Sequence, residues 1–205
     1  MFISFEGIEG VGKSTQITLL ADYLGQNGVS VHKTFEPGAT ALGAALRNVI
    51  LDPETELHHP ITETLLFTAD RLEHLAQVVE PALAQGKWVL TDRYIDSTIA
   101  YQLGGRQLNS DQVSAILRLT SRVPDLTILL DAEPEEGLKR AKARADLDRF
   151  EQEELAFHHR VRDQFLKSAE DHPDRFKVVQ IAGLDIATVF DHIKGIVDPY
   201  LGKEI

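Results

Sequence analysis

The 205-residue chain contains no cysteine. That excludes disulfides, cysteine-based zinc sites and thiol nucleophiles, and it fits a reducing compartment, so the cytoplasm is the expected location. Long apolar runs are missing as well: no stretch approaches the ~18 consecutive apolar residues of a membrane-spanning helix, so no membrane partner is expected. A basic start and a cleavage pattern of small residues are also absent. Met1 to Phe5 is a short apolar run stopped at Glu6, which predicts a buried strand rather than a leader. Positive charge is scarce, with 21 Lys and Arg against 32 Asp and Glu and a net charge of −11. Such a surface repels nucleic acid, so none is expected as a partner, and any bound phosphate needs a local basic pocket. The histidine pairs His58-His59 and His158-His159 have no carboxylate cluster at ligand spacing, and sequence neighbours point to different sides of an element, so they predict no metal site.

The composition that remains is that of a folded enzyme, 43% hydrophobic and 26% charged. At this length one domain over residues 1–205 is the simplest expectation, since single cores serve up to ~250 residues. Apolar strand-like runs recur at Phe2 to Phe5, Val29 to Phe35, Trp88 to Thr91, Leu126 to Leu130 and Lys177 to Ile181. Longer segments with helical spacing separate them. Ile17, Leu20, Tyr23 and Leu24 stripe the first helix, with Gly28 at its stop, and Ile186, Val189, Phe190, Ile193 and Val197 stripe the last. Strands alternating with helices predict an α/β fold, a three-layer α/β/α sandwich around a mostly five-stranded parallel sheet, with ligands at the strand C-terminal ends.

Gly7-Ile8-Glu9-Gly10-Val11-Gly12-Lys13-Ser14 fits the phosphate-binding spacing G-x-x-x-x-G-K-[ST] between a strand and a helix. Glycines let backbone N–H groups close around phosphate oxygens, the helix N-terminus favours negative charge, and the Lys13 ammonium reaches the β and γ phosphates of ATP. Gly7 through Ser14 and the adjoining Thr15 are therefore the expected ATP-binding loop. Ser14 offers a hydroxyl to Mg²⁺, and a carboxylate must complete that site. Asp92, ending the run from Lys87, is the candidate, with Asp131 as rival. Asp92 is preferred because Arg93 and Tyr94 come directly after it and place a cation where an acceptor phosphate could be gripped. An Asn-Lys-x-Asp segment for guanine is absent, which argues against a GTP switch, and a small-molecule kinase fits better than a transport or regulatory ATPase.

The motifs Phe5 to Thr15, Glu36-Pro37-Gly38, Phe67-Thr68-Ala69-Asp70-Arg71 and Asp92-Arg93-Tyr94, taken in order, resemble bacterial thymidylate kinase across nearly the whole chain. Tyr101 to Arg106 and Leu138 to Ala141, running on to Leu147-Asp148-Arg149, resemble it too. The resemblance implies transfer of the ATP γ-phosphate to dTMP and a homodimer formed through helices. It places Glu9 near the acceptor's sugar hydroxyl and Arg93 on its phosphate, with Phe67 as a stacking platform for the base and Arg71 as donor to a base carbonyl. It also brings Arg47 towards the acceptor, Thr98 and Gln102 to the thymine edge, and Tyr101, Glu36 and Pro37 to the same pocket. Ala39 stands where a second glycine is common. Residues of about 140–150 concentrate cations and resemble a mobile lid. Because Gly10 rather than a basic residue comes after Glu9, the catalytic arginine is expected from that lid, with Arg149 and Arg144 leading and Arg140 behind them as an ATP ligand. Kinases for another small acceptor are the near alternative, and a regulatory ATPase the distant one.

Overall fold

The computed structural model describes residues 1–120, 122–143 and 147–202. Five strands, β1 (Phe2–Glu6), β2 (Val31–Phe35), β3 (Trp88–Asp92), β4 (Leu126–Asp131) and β5 (Phe176–Gln180), form one parallel sheet in the order β2-β3-β1-β4-β5. The strands anticipated from the apolar runs are all present, with small shifts at their ends. Pairing at β2 begins later than Val29, where the Trp88 amide bonds the Ser30 carbonyl at 2.8 Å. β1 is buried along its whole length at the centre. Period-two alternation sends Ile3 and Phe5 into one core with Leu20 and Leu24, and Phe2 into another with Val79, Val89 and Tyr94.

The helices among the described residues are α1 (Lys13–Gln26), α2 (Ala41–Leu51), α3 (Thr62–His74), α4 (Glu80–Ala84), α5 (Ile95–Thr98), α6 (Ser110–Leu117), α7 (Pro134–Lys142), α8 (Leu155–Asp171) and α9 (Ile186–Val197). Capping reflects side-chain chemistry: Thr40, Asn109 and Asp185 accept amides of the first turns of α2, α6 and α9, each worth about 1 kcal/mol. Two stretches, Leu75–Val79 between α3 and α4 and Ile99–Gly105 after α5, wind as wider π-helical turns. A π turn inserts an extra residue and rotates the side chains beyond it, and such turns are frequent at functional sites. The one at Ile99–Gly105 carries Tyr101 and Gln102.

From β1 the chain runs outward through α1 to β2, whereas β4 leads the other way to β5. Connections parting in this manner leave a crevice beyond the strand C-termini beside β1. Register aligns Phe5 with Asp92 and Glu6 with Leu129, so the ends of β1, β3 and β4 open into that crevice together.

Candidate active site

At the end of β1, Gly7, Gly10 and Gly12 take φ of 132°, 71° and 89°, values that disfavour any side chain. Gly10 is also pressed against α7: a Cβ there would lie 2.1 Å from the Gly137 carbonyl oxygen. Ile8 and Val11 bury their side chains, anchoring the loop and leaving its backbone to face the crevice. Lys13 opens α1, whose first turn holds no acidic residue, and its ammonium donates to the carbonyls of Gly7 at 3.2 Å and Ile8 at 3.0 Å. Burial, and then the neighbouring Arg93, lower its pKa to about 8.

Ser14 donates from Oγ to Asp92 Oδ2 at 2.7 Å. The rival Asp131 is committed elsewhere, because its two carboxylate oxygens take Nε and Nη2 of Arg162 at 2.8 and 3.0 Å. A bidentate pair of that kind leaves little capacity for a metal. Of the two carboxylates, Asp92 is the one bonded to Ser14.

Arg93 adopts φ of 69°, a left-handed backbone that costs a non-glycine residue about 1–3 kcal/mol. Its Nη1 donates to the Gly7 carbonyl at 3.0 Å and to Ser97 Oγ at 3.1 Å, and its Nη2 to Glu9 Oε1 and the Tyr101 hydroxyl, both at 3.0 Å. The Tyr101 hydroxyl also donates to Glu9 Oε1. Burial alone would raise the Glu9 carboxyl, but His158, Arg93, Lys13 and Tyr101 outweigh it and hold the pKa at about 2, so Glu9 is an anion. Beneath this layer Glu6, wholly buried, accepts from the Tyr94 amide at 2.8 Å and Ser97 Oγ at 2.6 Å. Burial and then the Asp96 carboxylate push its pKa well above the usual carboxylate range.

Further out lie the residues expected to hold the acceptor's base. Arg71 is almost completely buried: Nε donates to Glu36 Oε2 at 2.9 Å, and Nη2 to Thr98 Oγ1 at 2.9 Å and the Tyr94 carbonyl at 3.1 Å. Its Nη1 is buried without a hydrogen-bond partner, and Arg71 lines the cleft. Glu36 is steadied in turn by His74 at 2.8 Å. Phe67 is half-buried on the same helix face and tilts against Phe150, with centroids 5.8 Å apart. Gln102 gives its amide N–H to Glu63 Oε1 at 2.9 Å, which leaves the amide oxygen as its remaining acceptor. Arg47 donates to the Pro37 carbonyl at 2.7 Å and holds the loop after β2.

Lid residues separate in place. Arg140 lines the cleft half-exposed, loosely paired with Glu136 at 3.7 Å. Arg144 lies outside the described residues. Arg149 donates from Nε to the Ile50 carbonyl at 2.9 Å, with Nη2 2.8 Å from Glu63 Oε2 and its guanidinium over the Phe150 ring. These contacts tie Arg149 to the ends of α2 and α3, and it does not line the cleft. Glu63, which also takes two contacts from Arg106, is a hub that sequence reasoning missed, as were Gly137, Phe150 and His158. Glu63 sits four residues before Phe67, but nothing in the sequence marks it as buried.

Lys13, Ser14, Asp92, Arg93, Phe67 and Arg71 line one cleft of about 910 Å³. The loop lysine, the strand-end Asp92 and Arg93, and the side chains of Phe67 and Arg71 thus face one shared space.

Known proteins resemble this chain along most of its length. A family model described as thymidylate kinase matches residues 5–193. The chain is 45% identical over 193 residues to the thymidylate kinase of Desulfosudis oleivorans, covering 89% of this chain and 90% of that one. It is 45% identical over 207 residues to that of Gloeobacter violaceus, covering 99% and 97%. Among solved structures, the crystal structure of thymidylate kinase from Ehrlichia chaffeensis superposes with a TM-score of 0.77 at 34% identity, covering 97% of this chain and 98% of the other.

Proposed function

The chain belongs to the thymidylate kinase family, and on that premise we propose that it moves the γ-phosphoryl group of ATP in line onto dTMP, through the cleft that Lys13 and Arg93 share. That shared cleft is the observation carrying the reading. A phosphate oxygen of dTMP forms the new P–O bond as the bond from the γ-phosphorus to the bridging oxygen breaks, and ADP and dTDP leave. The attacking oxygen is already anionic, so no general base is required. Positioning and charge compensation supply the catalysis.

In this reading Arg93 forks onto the acceptor phosphate, Glu9 accepts from the sugar hydroxyl, Phe67 stacks on the base, and Arg71 Nη1 donates to a base carbonyl while Gln102 and Thr98 border its edge. Ser14 and Asp92 form the hard-oxygen pair that would hold Mg²⁺, and the ion would supply positive charge to offset that of the transferring phosphate. ADP release measured across dTMP, dUMP, dCMP, dGMP and AMP tests the function. The reading requires dTMP to be the best acceptor, and it fails if no monophosphate raises release above the basal rate.

The lid arginines make distinct predictions. Arg140→Ala and Arg144→Ala are expected to lower kcat by at least about tenfold with little change in KM for dTMP. Arg149 is tied to Glu63 and Ile50, so Arg149→Ala is expected to lower kcat and also the thermal midpoint. Steady-state kinetics beside thermal melts separate these cases.

The Lys13 pKa of about 8 sets a pH dependence. The ammonium is present below that value and lost above it, so ATP affinity of the free enzyme is expected to fall above pH about 8, approaching tenfold per pH unit. Calorimetric titrations from pH about 6.5 to about 9.5 check this. Lys13→Arg, which keeps its charge, should flatten the curve.

A homodimer is the expected assembly. Leu42 and Val49, seven apart on α2, and Leu65 and Leu72, seven apart on α3, leave apolar side chains exposed on two helices that pack together. Seven residues are close to two helical turns, so each pair shares a face. Sedimentation is expected to give a dimer, and Leu65→Glu with Leu72→Glu to shift it towards monomer. Among the described residues no helix is long and apolar enough to cross a membrane. We place the enzyme in the cytoplasm, where ATP is supplied.

A further inference from the structure

His158 lies on α8 with no exposed surface, and neither ring nitrogen has a hydrogen-bond partner. A buried polar group left unpaired is costly and rare, and calls for an explanation. Nδ1 lies 3.5 Å from Glu9 Oε2, an oxygen that is itself buried without a hydrogen-bond partner. Glu9 Oε1, by contrast, takes both Arg93 and the Tyr101 hydroxyl. An unmatched ring nitrogen and an unmatched carboxylate oxygen therefore face each other slightly beyond hydrogen-bond length.

The elements behind the pair are held tightly. α8 is pressed onto the π-helical turn that carries Tyr101: a Cβ on Gly104 would lie 2.9 Å from the Arg160 carbonyl oxygen, and one on Gly105 would lie 2.5 Å from the Phe157 ring. Arg160 bonds the Gly105 carbonyl across the same contact at 3.0 and 3.2 Å. His158 and Tyr101 thus approach the two oxygens of Glu9 from elements fixed to one another.

We propose that His158 is a positioning residue for Glu9, its Nδ1–H donating to Oε2 and fixing the carboxylate plane. The reason lies in Arg93. A carboxylate beside a guanidinium relaxes into a two-pronged pair, which would turn both Glu9 oxygens onto Arg93 and away from the acceptor's sugar. Holding Oε2 on His158 limits Glu9 to one contact with Arg93 and leaves Oε1 towards the sugar side of the cleft. This role of His158 rests on the acceptor-side reading of Glu9 and Arg93. The low pKa of Glu9 agrees with it, since His158 opposes the effect of burial more than Arg93 does.

The test uses three variants of the full-length enzyme. His158→Leu fills the space without a donor, and His158→Asn places an amide N–H near the Nδ1 position. Glu9→Gln serves as reference. Each is assayed for kcat and KM with dTMP and with its 3′-deoxy analogue, beside a thermal melt. His158→Leu is expected to lower kcat/KM for dTMP about tenfold, mainly through KM, and to shrink the preference for dTMP over the analogue. His158→Asn should recover to within about threefold of the parent, and Glu9→Gln should lose the preference. If Glu9→Gln loses the preference while His158→Leu keeps it, the proposal is overturned and the reading of Glu9 stands. Equal loss in folded Leu and Asn variants also overturns it, because the role is then packing. If Glu9→Gln keeps the preference, the reading of Glu9 fails and the proposal with it.

Discussion

Lys13→Ala is expected to lower kcat/KM for dTMP phosphorylation by about a thousandfold or more, the scale seen when a cation facing a transferring phosphoryl is removed. The Lys13 ammonium rests on the Gly7 and Ile8 carbonyls inside the loop. Its place is set before any ligand arrives, and Lys33 on β2 is the other described lysine that lines the cleft. The effect should fall on chemistry rather than on folding. Burial depresses the Lys13 pKa, so the folded state disfavours its charge at neutral pH, and removing the side chain relieves that penalty. By the same sign, the contribution of Lys13 to stability is present above its unfolded value of 10.5 and is lost as pH falls through about 8. Activity assays beside a thermal melt at pH about 7 should therefore show a near-dead enzyme with a midpoint close to the parent's.

Arg93→Ala is the second large effect, about a thousandfold in kcat/KM for dTMP with ATP affinity changed by less than about threefold. Arg93 is the guanidinium joining the carboxylate of the loop, Glu9, to the end of β3. The substitution also exposes the backbone constraint. At φ of 69° alanine keeps the strain and glycine does not, so Arg93→Gly should be more stable than Arg93→Ala by about 1 kcal/mol while equally inactive. Denaturant melts of the two variants give the first comparison, and product formation under saturating ATP gives the second.

The parts of the site that can be read in the sequence are those whose geometry is local. The loop from Gly7 to Ser14 needs only a strand before it, a helix after it and glycines where φ is positive, all within a short segment. Asp92 and Arg93 are legible because a strand end at the sheet's C-terminal edge points into the crevice whatever the rest of the chain does. Asp131 meets the same rule, and only its pairing with Arg162, 31 residues away, sets it apart. The sheet is legible for a similar reason, because buried parallel strands are apolar throughout.

The features hidden from sequence depend on long-range partners. Glu63 looks like a solvated helical glutamate until Gln102, Arg106 and Arg149 converge on it from later segments. His158 looks like half of an uninformative pair until α8 brings it against Glu9. The π-helical turn at Ile99–Gly105 has no periodic signature, yet it sets the directions of Tyr101 and Gln102. Arg149 stands out among the lid cations by motif alone, and its bond to the Ile50 carbonyl links it to α2 rather than to the phosphate cradle.

A crystal structure with dTMP and a non-hydrolysable ATP analogue bound together tests the central claim most directly. The account predicts both nucleotides in the one cleft, the dTMP phosphate forked by Arg93, the terminal phosphate of the analogue against Lys13, and a clear line between the two phosphorus atoms. Nucleotides in separate cavities, or an acceptor phosphate bound away from Arg93, would contradict it.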